Sequence, residues 1–308
     1  MHKYILRRLL MMVPVLLGVM FVIFTLVYIT PGDAAQVILG ERATPQALEQ
    51  LRSEMGLDQP FLVQFAGYVS RVARLDLGHS FITNRPVFDE LSFRFPNTAQ
   101  LAVMALLVAL AVGIPMGILC SIRHNSVLDS VASVMGLVAL SVPNFWLGLM
   151  LVLLFAVNFG LLPVSGFHTP MHWILPSLTI GLSLSGEFMR FTRSSMLEVV
   201  RQDYIRTAWA KGQSEGSIIV RHALKNALIP LVTVVGLSFG ALMGGAVLTE
   251  TIFSIPGVGA FMVQSISSRD FPVIQGGVLM IAFIFSFVNL LVDILYGFID
   301  PRIRSQYR

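Results

Sequence analysis

Only one short stretch of this sequence combines residue types that could perform catalysis. Ser165 precedes His168 and His172, and a serine near a histidine is the minimum for a nucleophile with its general base. The surrounding Pro163-Val164-Ser165-Gly166 lacks any recognisable arrangement of oxyanion donors, which acyl transfer requires. An intramembrane hydrolase is therefore only a distant alternative, and we predict no catalytic residue.

The sequence also lacks the groups that hold a metal ion or a nucleotide. Its six histidines are scattered as single residues, and its one cysteine, Cys120, lies inside an apolar run. No phosphate-binding loop of the GxxxxGKS or GxxxxGKT type occurs. We therefore predict no metal site and no bound cofactor, so that any ATP chemistry must be supplied by another subunit.

The elements that would position any functional residue are membrane helices. The chain has 308 residues, of which 55% are hydrophobic and 12% charged, whereas soluble domains carry about 25% charged residues. Long apolar runs predict an all-α polytopic membrane protein. We expect six transmembrane helices, with Pro143 kinking or breaking the third. They are placed at residues 9–29, 98–122, 131–159, 174–189, 229–249 and 273–298.

The distribution of positive charge predicts the orientation of these helices. Of the 21 lysines and arginines, 14 fall on the side that holds both chain ends, as expected for cytosolic segments. Lys3, Arg7 and Arg8 precede the first span, which we interpret as a retained signal anchor. Both termini are therefore predicted to be cytosolic.

Composition divides the chain into four parts. Residues 1–30 form an N-terminal transmembrane anchor, and residues 31–96 form a mostly helical periplasmic subdomain. Residues 97–300 form a core of five further spans, and residues 301–308 form a cytosolic tail.

Two helices are expected in the periplasmic part. Thr44 suits an N-cap and Pro45 the first helical position, while Gly56 fits the helix stop. A second amphipathic stretch follows Pro60, with Phe61, Phe65, Val69 and Val72 on one face.

The longest basic interruption on the cytosolic side spans residues 201–228. Asp203 can cap a short helix that ends at Gly212, and Ser214 can cap a second one. We predict two short helices parallel to the membrane and joined at Gly212.

The first of these helices has an apolar face formed by Tyr204, Ile205 and Ala208, next to the bulky Trp209. Such a face fits either an interface with anionic lipid or a docking surface for a protein. Large apolar residues on so short a cytosolic helix favour a protein partner.

The same helix resembles the coupling loop of binding-protein-dependent ABC importer permeases, in the form found in the dipeptide, oligopeptide and nickel group. It reads Asp203-Tyr204-Ile205-Arg206-Thr207-Ala208, followed by Ala210-Lys211-Gly212. Other stretches resemble the same group in the expected order along the whole chain, and the long segment after the first span resembles its B-type dipeptide permeases. These stretches are Gly56-Leu57-Asp58-Gln59-Pro60, Asp76-Leu77-Gly78, Phe191-Thr192-Arg193-Ser194-Ser195-Met196, Leu248-Thr249-Glu250-Thr251-Ile252-Phe253 and Asp300-Pro301-Arg302.

This resemblance implies the type I ABC importer permease fold and a set of partners. The expected partners are a second, C-type permease subunit, two ABC ATPase subunits that bind ATP and Mg, and an extracytoplasmic substrate-binding protein. Membrane lipid surrounds the chain, and no nucleic acid is expected. The ATPase-coupling residues that the resemblance implies are Asp203, Tyr204, Ile205, Arg206, Thr207, Ala208, Lys211 and Gly212.

The cargo that the resemblance implies is a di- or oligopeptide carried across the inner membrane. Nickel chelates, glutathione or another small solute are the alternatives. The candidate residues of the substrate path are Ser141, Asn144, Glu187 and Glu250. Each also has a structural interpretation: Ser141 and Asn144 at a kinked backbone, Glu187 paired with Arg190, and Glu250 solvated at the interface.

Overall fold

The computed structural model describes residues 2–30, 34–40 and 43–299, so the predicted tail at 301–308 lies outside the described residues. Within these ranges every regular element is helical, apart from one antiparallel bridge between His79 and Pro86. The α-helices are α1 His2–Ile29, α2 Ala34–Leu39, α3 Pro45–Glu54, α4 Phe61–Ala73, α5 Val87–Ile122, α6 Val127–Ser141, α7 Asn144–Leu151, α8 Ile174–Val200, α9 Asp203–Ala210, α10 Glu215–Ser217, α11 Lys225–Gly245, α12 Val247–Ile252, α13 Val258–Ser267 and α14 Phe271–Ile299. Two π-helical segments cover Val152–Asn158 and Ile218–Leu224, and a 3-10 turn covers Pro170–Trp173.

The chain forms two compact units. Among the described residues, one unit consists of Ala99–Ile255 and Val288–Ile299, and the other lies within His2–Thr98 and Pro256–Phe287. The candidate coupling segment lies in the first unit, and the predicted periplasmic helices lie in the second.

Four helices of the described ranges are long and apolar enough to cross a membrane, or five if the bent pair α6–α7 counts as one span. The prediction of six spans is therefore not confirmed. The difference is α8, expected to cross as residues 174–189, because its C-terminal half carries Glu187, Arg190, Arg193 and Glu198. These charges leave α8 too polar to be recognised as a span by length and composition.

The predicted break in the third span is confirmed. Helix α6 ends at Ser141, α7 begins at Asn144, and the chain bends by 102° between them. Pro143 has no N–H to continue the helix, and it directly precedes the first residue of α7.

The two helices predicted between the first and second spans are confirmed, as α3 and α4. The backbone N–H of Ala47 donates to the Thr44 hydroxyl at 3.3 Å, which caps α3 as expected. Helix α4 follows Pro60 and packs its aromatic face on α1, where the Phe24 ring lies 5.4 Å from that of Phe61 and 5.6 Å from that of Tyr68. These aromatic contacts give the second unit an apolar cluster of its own.

Close glycine contacts hold α8 against its neighbours in the first unit. A Cβ on Gly117 of α5 would lie 2.6 Å from the Met189 carbonyl oxygen of α8. A Cβ on Gly186 of α8 would lie 2.4 Å from the Gly136 carbonyl oxygen of α6, so a side chain there would displace backbone, whereas a Cβ on Gly136 would meet the Met189 side chain at 2.5 Å. Small residues at such crossings let membrane helices pack closely, and α8 is thus fixed between α5 and α6.

Candidate functional site

The candidate coupling segment begins with α9, which is a complete small helix with a defined stop. Gln202 occupies the N-cap position, so Asp203, predicted as the cap, is instead the first helical residue. At the other end, Gly212 adopts a φ of +73°. The N–H of Gly212 donates to Trp209 O at 2.9 Å and the N–H of Gln213 to Ala208 O at 3.3 Å. This is the Schellman pattern, and it favours glycine because of the positive φ.

One face of α9 is buried in the protein's own core. Ile205 is 1% exposed and Ala208 7% exposed. They belong to an apolar cluster with Met196 of α8 and with Ile218 and Ala223, which follow α9. These contacts fix how α9 is seated on the end of α8.

Two aromatic side chains lie on either side of this buried pair and are about half exposed. Tyr204 is 44% exposed and Trp209 is 49% exposed. Burial of part of the ring raises the pKa of the Tyr204 phenol, while a hydrogen bond with Asn226 acts in the opposite direction. The structure therefore divides the predicted contact face: Ile205 and Ala208 hold the helix, and Tyr204 and Trp209 remain available.

The polar coupling residues surround these aromatics. Nη1 of Arg206 lies 3.8 Å from Oδ1 of Asp203, and both side chains are largely exposed. The Thr207 hydroxyl donates to the Asp203 backbone carbonyl oxygen at 3.0 Å. Lys211 is exposed at the C-cap, where a cation suits the helix dipole. The outward surface of α9 thus combines two aromatic rings with charges of both signs.

The second predicted short helix is not separate from the following span. From Glu215 the chain continues through α10, the π-helical turn and α11 as one apolar helix to Gly244. Pro230 lies inside α11 without ending it, because a proline in a membrane helix is tolerated where local turns re-satisfy the freed backbone groups. The segment is therefore one short helix, hinged at Gly212 onto the base of a span.

The predicted path residues Ser141 and Asn144 lie at the α6–α7 bend and are exposed. The Ser141 hydroxyl donates to the Leu137 carbonyl oxygen at 2.9 Å, so it bonds the bent backbone as its structural interpretation predicts. Asn144 is the first residue of α7.

The two acidic candidates differ from their structural interpretations. Glu187 is half-buried while Arg190 is exposed, and among the described residues no ion pair joins them. Glu250 lies in α12 and is 0% exposed. The interpretation of Glu250 as a residue solvated at the membrane interface is therefore wrong, because burial removes its carboxylate from water.

The hydrolase alternative finds no support in the arrangement of its residues. His172 Nδ1 lies 2.7 Å from the Thr169 hydroxyl oxygen, in the cap of the 3-10 turn. The N–H of Gly166 donates to the Phe253 carbonyl oxygen at 2.8 Å. Among the described residues, no hydrogen bond joins Ser165 to either neighbouring histidine, so a nucleophile–base pair is not formed.

A polar cluster that the sequence did not reveal lies beside the coupling segment. Arg193 of α8 donates from Nε and Nη2 to the two carboxylate oxygens of Asp129, at 2.6 and 2.8 Å. Asp129 lies in the first turn of α6, and His124 Nδ1 lies 3.2 Å from its carboxylate. Ser126, three residues before Asp129, is a capping signal from which the start of α6 could be predicted. This signal does not indicate that Asp129 pairs with Arg193.

Two solved structures with a similar fold are of ABC transporters. An inward-facing structure of the MetNI methionine ABC transporter matches with a TM-score of 0.56 at 16% identity, covering 68% of this chain and 96% of that chain. A crystal structure of an amino acid ABC transporter with histidines matches with a TM-score of 0.51, covering 70% and 94%. The chain therefore shares the fold of chains in these two ABC transporters.

Sequence comparison gives the family. The chain belongs to the binding-protein-dependent transport system inner membrane components, whose family model matches residues 113–305, with the N-terminal model of the same components matching residues 1–102.

Curated relatives match over nearly the whole chain. The dipeptide transport system permease protein DppB of Alkalihalophilus pseudofirmus is 43% identical over 99% of this chain and 100% of its own length, and DppB of Escherichia coli K12 is 41% identical over the same shares. The glutathione transport system permease protein GsiC of Salmonella choleraesuis is 42% identical over 99% of both chains. The predictions of an inner-membrane ABC importer permease and of a non-catalytic subunit are confirmed by this family and these relatives.

Proposed function

We propose that this chain is the B-type permease subunit of an ATP-driven importer that moves di- and oligopeptides across the inner membrane. The observation that carries the proposal is the seating of α9. Its apolar residues Ile205 and Ala208 are buried in the permease, while Tyr204 and Trp209 beside them stay about half exposed. Exposed aromatics on a rigidly seated helix are typical anchors of a protein interface.

The proposed partners follow from this surface and from the family. Two ABC ATPase subunits bind ATP and Mg and receive α9 in a groove, a C-type permease completes the path, and an extracytoplasmic binding protein delivers the cargo. The permease itself binds no cofactor. Both chain ends and the coupling segment face the cytosol, where the ATPase subunits act.

Relatives named for dipeptide transport support a peptide cargo. Glutathione is the second candidate, because a relative named for glutathione transport is about as similar, at 42% identity. Dipeptides and glutathione both carry a peptide group, a free amine and a carboxylate, so one permeation path suits both cargoes. A nickel chelate remains the third candidate.

Co-purification and transport test this proposal together. The tagged chain is purified from its native membrane and its partners are identified by mass spectrometry. The complex is then placed in proteoliposomes with its binding protein. We expect two ATPase subunits, a second permease and ATP-dependent uptake of radiolabelled alanyl-alanine.

Three results would decide against parts of the proposal. A chain that purifies without an ATPase would overturn the importer itself. Uptake of glutathione or of a nickel chelate, with none of alanyl-alanine, would leave the importer in place and change its cargo.

A further inference from the structure

The contact between Arg193 and Asp129 has the geometry of a clamp. Its two parallel N–H···O bonds, at 2.6 and 2.8 Å, use both carboxylate oxygens of Asp129. Only the planar fork of an arginine makes such a paired contact, and it fixes direction as well as distance. The clamp therefore sets the orientation of α8 relative to the start of α6.

The carboxylate also orders the turn that leads into α6. Asp129 is 3% exposed and accepts a hydrogen bond from the Asn125 backbone N–H at 3.0 Å. Its own backbone N–H donates to the Ser126 hydroxyl at 3.2 Å. Because His124 completes the cluster at 3.2 Å, the whole turn between α5 and α6 is tied to one carboxylate.

The clamp lies one helical turn from the coupling core. Met196 follows Arg193 by three residues and is 0% exposed in the apolar cluster that holds Ile205 and Ala208. Residues three apart on a helix lie on the same side. Ile118, near the end of α5, packs against the same cluster. The end of α8 is thus held by an ion pair to α6 and by apolar contacts to α9 and α5.

Stability alone explains this arrangement poorly. A largely buried ion pair contributes little compared with apolar residues of the same size, because both charges lose water. What such a pair does provide is one defined geometry, which an apolar contact can lose by sliding.

We propose that Arg193 and Asp129 are positioning residues that make the start of α6, the end of α8 and the coupling segment move as one body. This inference rests on the proposed importer function. Movement that an ATPase subunit imposes on α9 passes through the apolar cluster to α8 and through the clamp to α6. The α6–α7 bend at Pro143 then moves with the coupling segment.

The test measures coupling rather than assembly. The complete complex with its binding protein is reconstituted with Asp129→Asn or Arg193→Lys, and alanyl-alanine uptake is divided by ATP hydrolysed. Arg193→Lys keeps the charge and loses the paired contact. Arg190→Lys is the matched control, since Arg190 is exposed on the same helix. We expect both clamp variants to assemble and to lose roughly fivefold or more in this ratio, and the control to keep the wild-type ratio.

Two results would overturn the clamp. The first is a wild-type ratio in assembled Asp129→Asn and Arg193→Lys complexes, even if their yield falls, because the pair then acts only on folding. The second is an equal loss in Arg190→Lys, which would show a general effect of charge on α8. If the wild-type complex itself lacks ATP-driven uptake, the importer proposal fails, and this inference fails with it.

Discussion

Helices α4 and α9 are both short and amphipathic with large aromatic residues, and they use those residues in opposite ways. In α4 the aromatic rings turn inward, and Tyr68 is only 5% exposed against α1. In α9 the small and aliphatic residues turn inward while Trp209 is 49% exposed. The aromatic face of α4 is covered within the chain, whereas the aromatic side chains of α9 stay about half exposed. Amphipathic patterning therefore identifies a helix face but not which molecule covers it.

The largest loss of stability is expected from a substitution in the apolar cluster that holds α9 against the rest of the chain. Ile205→Ala should destabilise the seating of α9 by about 3 kcal/mol, because it opens a cavity in a closed apolar cluster. Limited proteolysis between α9 and α10 measures the release of the segment. Val220→Ala, at a side chain that is 60% exposed, is the control and should leave proteolysis unchanged. Equal protection of both variants would contradict the buried role of Ile205.

The next effect separates docking from folding. Trp209→Ala should weaken binding of the ATPase subunits by about 2 kcal/mol, as for an exposed interface anchor, without changing the unfolding of the permease. The measurement is a titration of detergent-solubilised permease with its ATPase. Leu62→Ala is the matched control on α4, since Leu62 is 72% exposed. If Leu62→Ala weakens binding as much as Trp209→Ala, the contrast between α4 and α9 is lost.

A smaller effect is expected at the hinge. A Cβ at Gly212 would meet no atom within 4 Å, so a side chain there has space and the penalty comes from the backbone alone. Gly212→Ala should cost about 1 kcal/mol at the positive φ, and Gly212→Asn should cost less. Uptake per ATP hydrolysed is expected to fall in the order Gly, Asn, Ala. An equal fall for asparagine and alanine would show that the positive φ is not the cause.

The smallest effect concerns the hydroxyl of Tyr68. Among the described residues it has no hydrogen-bond partner, and burial raises its pKa to about 12. Tyr68→Phe removes this unsatisfied group and should stabilise the second unit by roughly 0.5 kcal/mol, measured as a small rise in Tm. Tyr204→Phe is the contrasting variant and should give no rise, because that hydroxyl has Asn226 as partner. A lower Tm for Tyr68→Phe would indicate a partner for the hydroxyl.

Features that depend on neighbouring residues were predictable. The Thr44 cap, the stop at Gly212 and the break at Pro143 each follow from the conformations that a few adjacent residues allow. The family was also accessible, because its motifs recur in order along the chain. The early start of α5 was not predictable in the same way. The second span is expected from residue 98, whereas α5 begins at Val87. Its first turn contains Asp89 and Glu90, which are not typical of a span.

The side of a helix that meets the rest of the protein was less predictable. The sequence placed Tyr204, Ile205 and Ala208 on one face, yet the structure buries only the last two. Neighbouring positions on a helix differ by about 100°, so the depth of each residue depends on the shape of the surface that it meets.

The sequence by itself determined the membrane class, the family, the bend at Pro143 and the short helix ending at Gly212, because apolar runs, proline and glycine act locally. Only the tertiary structure decided that Ile205 and Ala208 are buried under α9 while Tyr204 and Trp209 stay about half exposed. It also decided that Arg193 meets Asp129 across 64 residues of sequence. Such contacts depend on how α6 and α8 pack through Gly136 and Gly186, and that packing is set by helices far apart along the chain.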